Sequence, residues 1–164
     1  NGKVDISHIQ GSVQATTTNG QVQVAHVTKE VLIETTNGAV TVEQATGKVK
    51  VNTTNGSITI REAASGIEAE AMVGGITVFS NEVGGDYRLE TTGGIIQLSI
   101  PDNADVTIRG STLLFGGIST DLPLSVQDRE VTGTMGDGTH NIRLEANLNV
   151  KINNVNNLQQ TWQE

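Results

Sequence analysis

The sequence contains no cysteine. That excludes disulfides, thiol catalysis and cysteine-ligated zinc, and it fits either redox compartment. Aromatic side chains are nearly absent: Phe79, Tyr87, Phe115 and Trp162 are all there are in 164 residues. The apolar content is mostly Val, Ile and Ala. These small or β-branched side chains suit a thin core between closely spaced sheets. Proline occurs only at Pro101 and Pro123, against 19 glycines, which fits short strands joined by many corners. The ten Lys and Arg form no run, and the formal net charge is −8. A sequence-independent grip on nucleic acid needs clustered positive charge, so no nucleic-acid partner is expected. Docking on anionic lipid is disfavoured for the same reason. No apolar stretch approaches the roughly 20 residues that span a bilayer, so this segment is not expected to insert directly into a membrane. There is no signal peptide. The chain opens at Asn1-Gly2, inside a repeat, so any anchor or export signal is expected outside this segment.

What the sequence does have is a repeat. Asn-Gly recurs at Asn1-Gly2, Asn19-Gly20, Asn37-Gly38 and Asn55-Gly56, always 18 residues apart. A fifth row, from Val73, is two residues longer, and a sixth begins at Gly93-Gly94. Looser rows start near Gly116-Gly117 and Gly136. Each row holds two stretches of alternation. The first aligns Val4, Val22, Val40, Ile58, Ile76 and Ile96, with Ile6, Val24, Val42, Ile60, Val78 and Leu98 two residues on. The second aligns Val13, Val31, Val49, Ile67 and Tyr87, beside Ala15, Ile33, Val51, Ala69 and Leu89. Ile9, Val27, Ala45 and Ala63 form a further column between them. Period-two alternation marks strands with one buried face.

A row of 18 residues has a contour of roughly 60 Å, enough to close into a small triangle or flattened oval. Stacked at the strand spacing of about 4.8 Å, equivalent residues lie above one another, and each apolar column becomes a ladder inside the tube. The expected fold is therefore all-β, a single-domain parallel β-solenoid (β-helix) of about eight coils, each of about 18–20 residues, spanning 1–152. A rod of that many coils is roughly 35–40 Å long. Residues 153–164 lack the repeat and read as a polar tail or cap. The competing reading is an Asn-Gly hairpin with antiparallel sheets. It is disfavoured because hairpins would pair the unlike halves of a row instead of each row with its copy. Asn19, Asn37 and Asn55 are expected to form a side-chain ladder at a corner. Gly and Asn there would supply backbone with φ > 0. On the outside, Lys50, Glu68 and Arg88 share a column, as do Glu30 and Lys48, and Glu34, Asn52 and Glu70. From Ser99 the periodicity fails, with corners at Ile100–Asp105 and Leu122-Pro123-Leu124 and a last strand pair at 141–146 and 149–152.

The Thr-Thr-Asn-Gly-x-[Val/Ile]-x-[Val/Ile] rows at Thr35–Val42 and Thr53–Ile60 resemble a bacterial adhesin-like, β-strand-repeat family of unknown function. So does the later string of Ile100-Pro101, Ala104-Asp105-Val106, Gly117-Ile118, Thr120–Leu124 and Gly133–Gly138. The last row departs from that pattern, reading Ala146-Asn147-Leu148-Asn149 where Asn-Gly is usual. The resemblance covers roughly residues 1–152. It implies a β-solenoid on an exported or envelope-attached protein, at the periplasm or cell surface, and supplies no catalytic residues.

Candidate sites are few. His8 and His26 lie 18 residues apart, hence on adjacent coils, where two imidazoles can bind a transition metal or respond to pH. No third ligand is evident, and two solvated corner residues explain them as well. Glu62, Glu68 and Glu70 share a row, but no Arg, His or aromatic platform accompanies them as glycoside cleavage would require. Asp102, Asp105, Asp121, Asp128 and Asp137 lack the dense spacing of a calcium loop. Gly136-Asp137-Gly138 is a tight turn, and the Gly-Gly pairs match no phosphate-binding fingerprint. Thr41, Thr59 and Thr77 form one outward column, too narrow for an ice-binding face. No cofactor and no catalytic residue is therefore assigned. The expected role is a non-enzymatic structural or binding module, adhesive if the family label is apt, with a protein or glycan as partner. A scaffold that self-associates through the solenoid ends comes next, and a carbohydrate-active enzyme last.

Overall fold

The computed structural model describes residues 2–113 and 116–160, so Phe115 and Trp162 lie outside the described residues. The regular part contains β1 (Val4–Ile9), β2 (Val13–Asn19), β3 (Val22–Val27), β4 (Val31–Asn37), β5 (Val40–Ala45), β6 (Val49–Asn55), β7 (Ile58–Ala63) and β8 (Ile67–Val73). The longer rows follow with β9 (Ile76–Phe79), β10 (Tyr87–Thr91), β11 (Ile96–Ile100) and β12 (Val106–Thr112). The chain ends in β13 (Ile118–Thr120), β14 (Ser125–Gln127), β15 (Glu130–Met135), β16 (His140–Ala146), β17 (Val150–Asn154) and the helix α1 (Val155–Gln160).

These strands form two sheets, the outer walls of a β-solenoid. The first runs β1-β3-β5-β7-β9-β11-β17-β13 and the second β14-β15-β12-β16-β10-β8-β6-β4-β2. Through the regular rows every residue pairs with its own copy, as in Val22↔Val40 and Val31↔Val49. The pairing is parallel, which disposes of the hairpin alternative for this half. The apolar columns face inward: Val24, Val42, Ile60, Ile33 and Val51 are fully buried. Thr35, Thr53 and Thr91 also turn inward, extending the second sheet's inner face to a third position. Tyr87 fills the slot of Val49 and Ile67, and its hydroxyl reaches Ser80 Oγ at 3.0 Å. Burial pushes the Tyr87 phenol's pKa up, while the Ser80 hydrogen bond opposes the shift.

The coils do not stack in chain order throughout. After β11 the chain skips one strand position in each sheet before laying down β12 and β13. It then makes the antiparallel hairpin β14–β15, which pairs on β12. Only then does it return, and β16 and β17 fill the skipped positions. β16 lies parallel between β10 and β12, and β17 parallel between β11 and β13. The expected final coil is thus an interior one. Its apolar residues suit the slot, since Ile142 and Leu144 align with Tyr87 and Leu89 on one side. Gly110 faces Leu144 on the other, and a Cβ there would crowd the Val131 side chain.

Two local expectations need correction. The Asn ladder is present, with Asn37 Nδ2 donating to Asn19 Oδ1 (2.8 Å) and Asn55 Nδ2 to Asn37 Oδ1 (3.0 Å). Yet these asparagines are not left-handed. The glycines beside them are needed because a Cβ on Gly38 or Gly56 would overlap the carbonyl of the preceding coil's glycine. The positive φ expected of the glycines is present at Gly20 (138°) and Gly74 (138°), whereas the non-glycine left-handed residues lie at the other corner, at His8, Gln44 and their column mates (φ 58° and 52°). The tail also begins later than expected. Asn153 and Asn154 finish β17, and the following helix is fastened by Asp121, whose Oδ2 accepts from Asn157 Nδ2 at 3.0 Å.

Candidate functional site

The outer face of the second sheet carries two charged columns, two residues apart along each strand. The acidic column reads Thr16, Glu34, Asn52, Glu70, Glu90, Glu145 in successive strands. Glu70, Glu90 and Glu145 are therefore adjacent rungs, at about 4.8 Å each. A groove of about 570 Å³ follows this column along the solenoid axis, from Thr16 to Glu145. No Lys or Arg lines it. Thr35 and Thr53, each only 6% exposed, lie beneath it. Their Oγ1 atoms and Asn52 Oδ1 are buried and have no hydrogen-bond partner. The two threonine hydroxyls belong to the inward column, so the groove presents the carboxylates to solvent and not these hydroxyls.

The groove's corner edge is apolar. Among the described residues, Met72, Val73, Ile95, Leu113, Leu148 and Val126 are the large apolar side chains left exposed. All but Val126 sit in or beside the connections that lead from the second sheet to the first, where the early rows place Thr-Thr-Asn-Gly. Met72 and Leu113 line the groove directly. Contiguous exposed apolar surface rimmed by polar groups is a mark of binding surfaces.

The neighbouring column is basic where the return coil has been inserted. Arg88, Arg143 and Arg109 occupy three adjacent rungs, a juxtaposition that exists only because β16 lies between β10 and β12. Like charges directly opposite repel. Two of the three are neutralised within their own strands, Arg88 by Glu90 (2.7 Å) and Arg143 by Glu145. The Arg88–Glu90 contact is a charge contact whose angles do not make it a hydrogen bond, so Glu90 Oε1 keeps acceptor capacity. Glu145 holds the Arg143 guanidinium's pKa above its ordinary value. Arg109 has Ser111 in place of the carboxylate and makes no ion pair among the described residues. Further along the column, Lys50 reaches Glu68 at 3.0 Å, as the shared column predicts. Lys48 leaves its column neighbour Glu30 and also takes Glu68, at 3.2 Å. The Lys50 ammonium, followed by Lys48, lowers the pKa of Glu68.

Residues 1–152, spanning both the regular rows and the return coil, match the family model for Toastrack DUF4097, a family of unknown function. The chain belongs to the Toastrack family. No curated protein and no solved structure matches it.

The Toastrack solenoid brings His8 and His26 together. Their rings stack with centroids 4.5 Å apart and 6° between planes. The column continues with Gln44 and Glu62, and all four residues are left-handed. Parallel stacked rings direct their nitrogens side by side, not toward a common point. No group of three metal-ligating His, Cys, Asp or Glu side chains forms among the described residues. His140 lies far away, at the start of β16. Glu62 accepts from Asn81 Nδ2 (2.6 Å) at the corner, apart from Glu68 and Glu70 on the sheet face. The loop aspartates bind backbone. Asp105 Oδ1 accepts from Asp137 N, and Asp121 Oδ1 from Asn154 N. Asp86, which was not singled out from the sequence, accepts from Asn141 N at 2.7 Å and fixes the start of β16. Thr41, Thr59 and Thr77 form the expected single outward column. Sequence reasoning found the Glu34–Asn52–Glu70 column but missed the groove, because Glu90 and Glu145 join it only through the pairing of the two-residue-longer fifth row and of the returning coil.

Proposed function

We propose that this Toastrack domain is a non-enzymatic binding module of an exported or envelope-attached bacterial protein, and that the grooved outer face of its second sheet is the recognition surface. The observation that carries this reading is the groove itself, lined by Glu34 and Glu70, carboxylates without an ion pair among the described residues, and edged by the exposed Met72 and Leu113. Adhesion, in this reading, is the holding of a partner along the groove. A scaffold growing through both coil ends fits less well. The strands β1 and β2 leave open edges at one end, but the hairpin β14–β15 and helix α1 occupy the other. An enzymatic reading is disfavoured because Glu90 and Glu145 are engaged with arginines.

The test is a peptide array and a glycan array probed with the wild-type domain, with Glu34→Gln/Glu70→Gln in the groove, and with Thr59→Gln on the opposite sheet. Signals should fall about tenfold in the groove variant and stay unchanged for Thr59→Gln, a difference of about 1.4 kcal/mol in binding. Signals that respond equally to both changes, or release of sugar from a bound glycan, would overturn the proposal.

A further inference from the structure

We infer that the groove takes an extended, cationic segment of another polypeptide, lying along the solenoid axis with basic side chains three residues apart and aliphatic side chains on the Met72–Leu113 edge. This rests on the binding-module reading and specifies its partner. Charge comes first. Glu34 and Glu70 line the groove and make no ion pair among the described residues, whereas Glu90 and Glu145 already hold Arg88 and Arg143. Lys50 feels both carboxylates but is hydrogen-bonded to Glu68. The two carboxylates are thus only partly compensated in a lining that has no basic residue, and they attract positive charge.

Spacing comes next. Glu34 and Glu70 are separated by one intervening strand, so their rungs lie about 9.6 Å apart. A polyproline II segment rises about 3.1 Å per residue with three residues per turn. Its side chains at i and i+3 then lie on one face about 9.3 Å apart, matching the two rungs. A β-strand's same-face neighbours fall about 6.7 Å apart and miss that register.

The apolar edge decides between peptide and sugar. Among the described residues it consists of aliphatic and thioether side chains, with no aromatic ring to stack on a sugar face. Met adapts to varied aliphatic partners and suits a peptide side chain.

The probe is a synthetic peptide of about twelve residues in a Pro/Val background with lysines at i and i+3. It is compared with one bearing lysines at i and i+2, with a glutamate version, and with a panel of neutral and acidic oligosaccharides. Binding is read by fluorescence anisotropy at low and physiological salt, since screening weakens exposed charge contacts. The i,i+3 peptide should bind about threefold or more tighter than the i,i+2 peptide and lose about tenfold in Glu34→Gln/Glu70→Gln. Met72→Ser/Leu113→Ser should weaken it independently of salt. Both double variants change exposed or half-buried side chains, and circular dichroism verifies that they stay folded. If oligosaccharides bind and are lost in Glu34→Gln/Glu70→Gln while the peptides do not bind, the peptide inference falls and the binding-module reading stands. Peptide binding that is indifferent to every groove change, with no groove-dependent oligosaccharide, overturns both.

Discussion

The first four coils and the coils beyond Ser99 use the same strand chemistry but reach their register by different routes. In the early coils each residue stacks on a copy 18 positions away, so pairing is local in sequence and repeats without choice. In the later part β16 must find a slot between β10 and β12, and the Asp86–Asn141 hydrogen bond that fixes its start joins residues 55 apart. Ion pairs only partly follow this division. In the early coils Lys50–Glu68 and Arg61–Glu43 cross coils, while Lys3–Asp5 stays within one. Around the return coil, Arg88–Glu90 and Arg143–Glu145 join residues of one strand. Repetition thus supplies a rod, and the departure from repetition supplies the continuous carboxylate and arginine columns.

The sharpest way to break the comparison is to delete the return coil by ending the chain after Met135. Strands β10 and β12 would then stand two spacings apart, about 9.6 Å, with no strand between them. In a solenoid stability is a sum of neighbour terms, so the loss need not spread to coils that keep their neighbours. Amides from Val22 to Ala69 should keep their protection in hydrogen exchange, while those from Val106 to Met135 should exchange freely. Uniform loss along the chain would show that the early coils depend on the return coil.

A single residue probes the early half alone. Val42 is fully buried in the inner ladder, whereas its neighbour Thr41 lies on the outer face and is only half-buried. Val42→Asp places an unpaired carboxylate between Val24 and Ile60 and should cost about 4 kcal/mol or more, unfolding several coils. Thr41→Asp should stay within about 0.5 kcal/mol. Thermal melts of the two variants that coincide would refute the inside–outside assignment.

The two halves also differ in how much of them could be read beforehand. Period 18 and alternation place Val42 inside and Thr41 outside with no structural knowledge, because each column's residue types recur. The left-handed corner could not be read, since His8, His26, Gln44 and Glu62 share a backbone state but no side-chain type. The Asn-Gly rule was half legible. The sequence pattern located the corner, while the physical reason proved to be crowding between stacked glycines. The groove was the least legible feature. Glu34, Asn52 and Glu70 align by simple period, but Glu90 follows only after a two-residue insertion in its row. Glu145 comes from a coil whose position no periodicity encodes.

The smallest expected effect concerns what the cross-coil ion pairs contribute. Glu68 accepts from both Lys48 and Lys50, and its pKa in the fold is lowered below the ordinary 4.5. A carboxyl with a depressed folded pKa adds stability that is fully present above about pH 4.5 and lost as pH falls through the lower folded value. The lysines are 53% and 38% exposed, so solvent screens most of the attraction and the effect is slight. Melting temperatures of the wild type and Glu68→Gln should therefore differ slightly at neutral pH and converge in acid. Asp5→Asn should melt like wild type at every pH, because its partner Lys3 lies on the same coil and their contact ties no coil to another. If Glu68→Gln and Asp5→Asn give indistinguishable pH profiles, the distinction between register-fixing pairs and within-coil pairs has no energetic content.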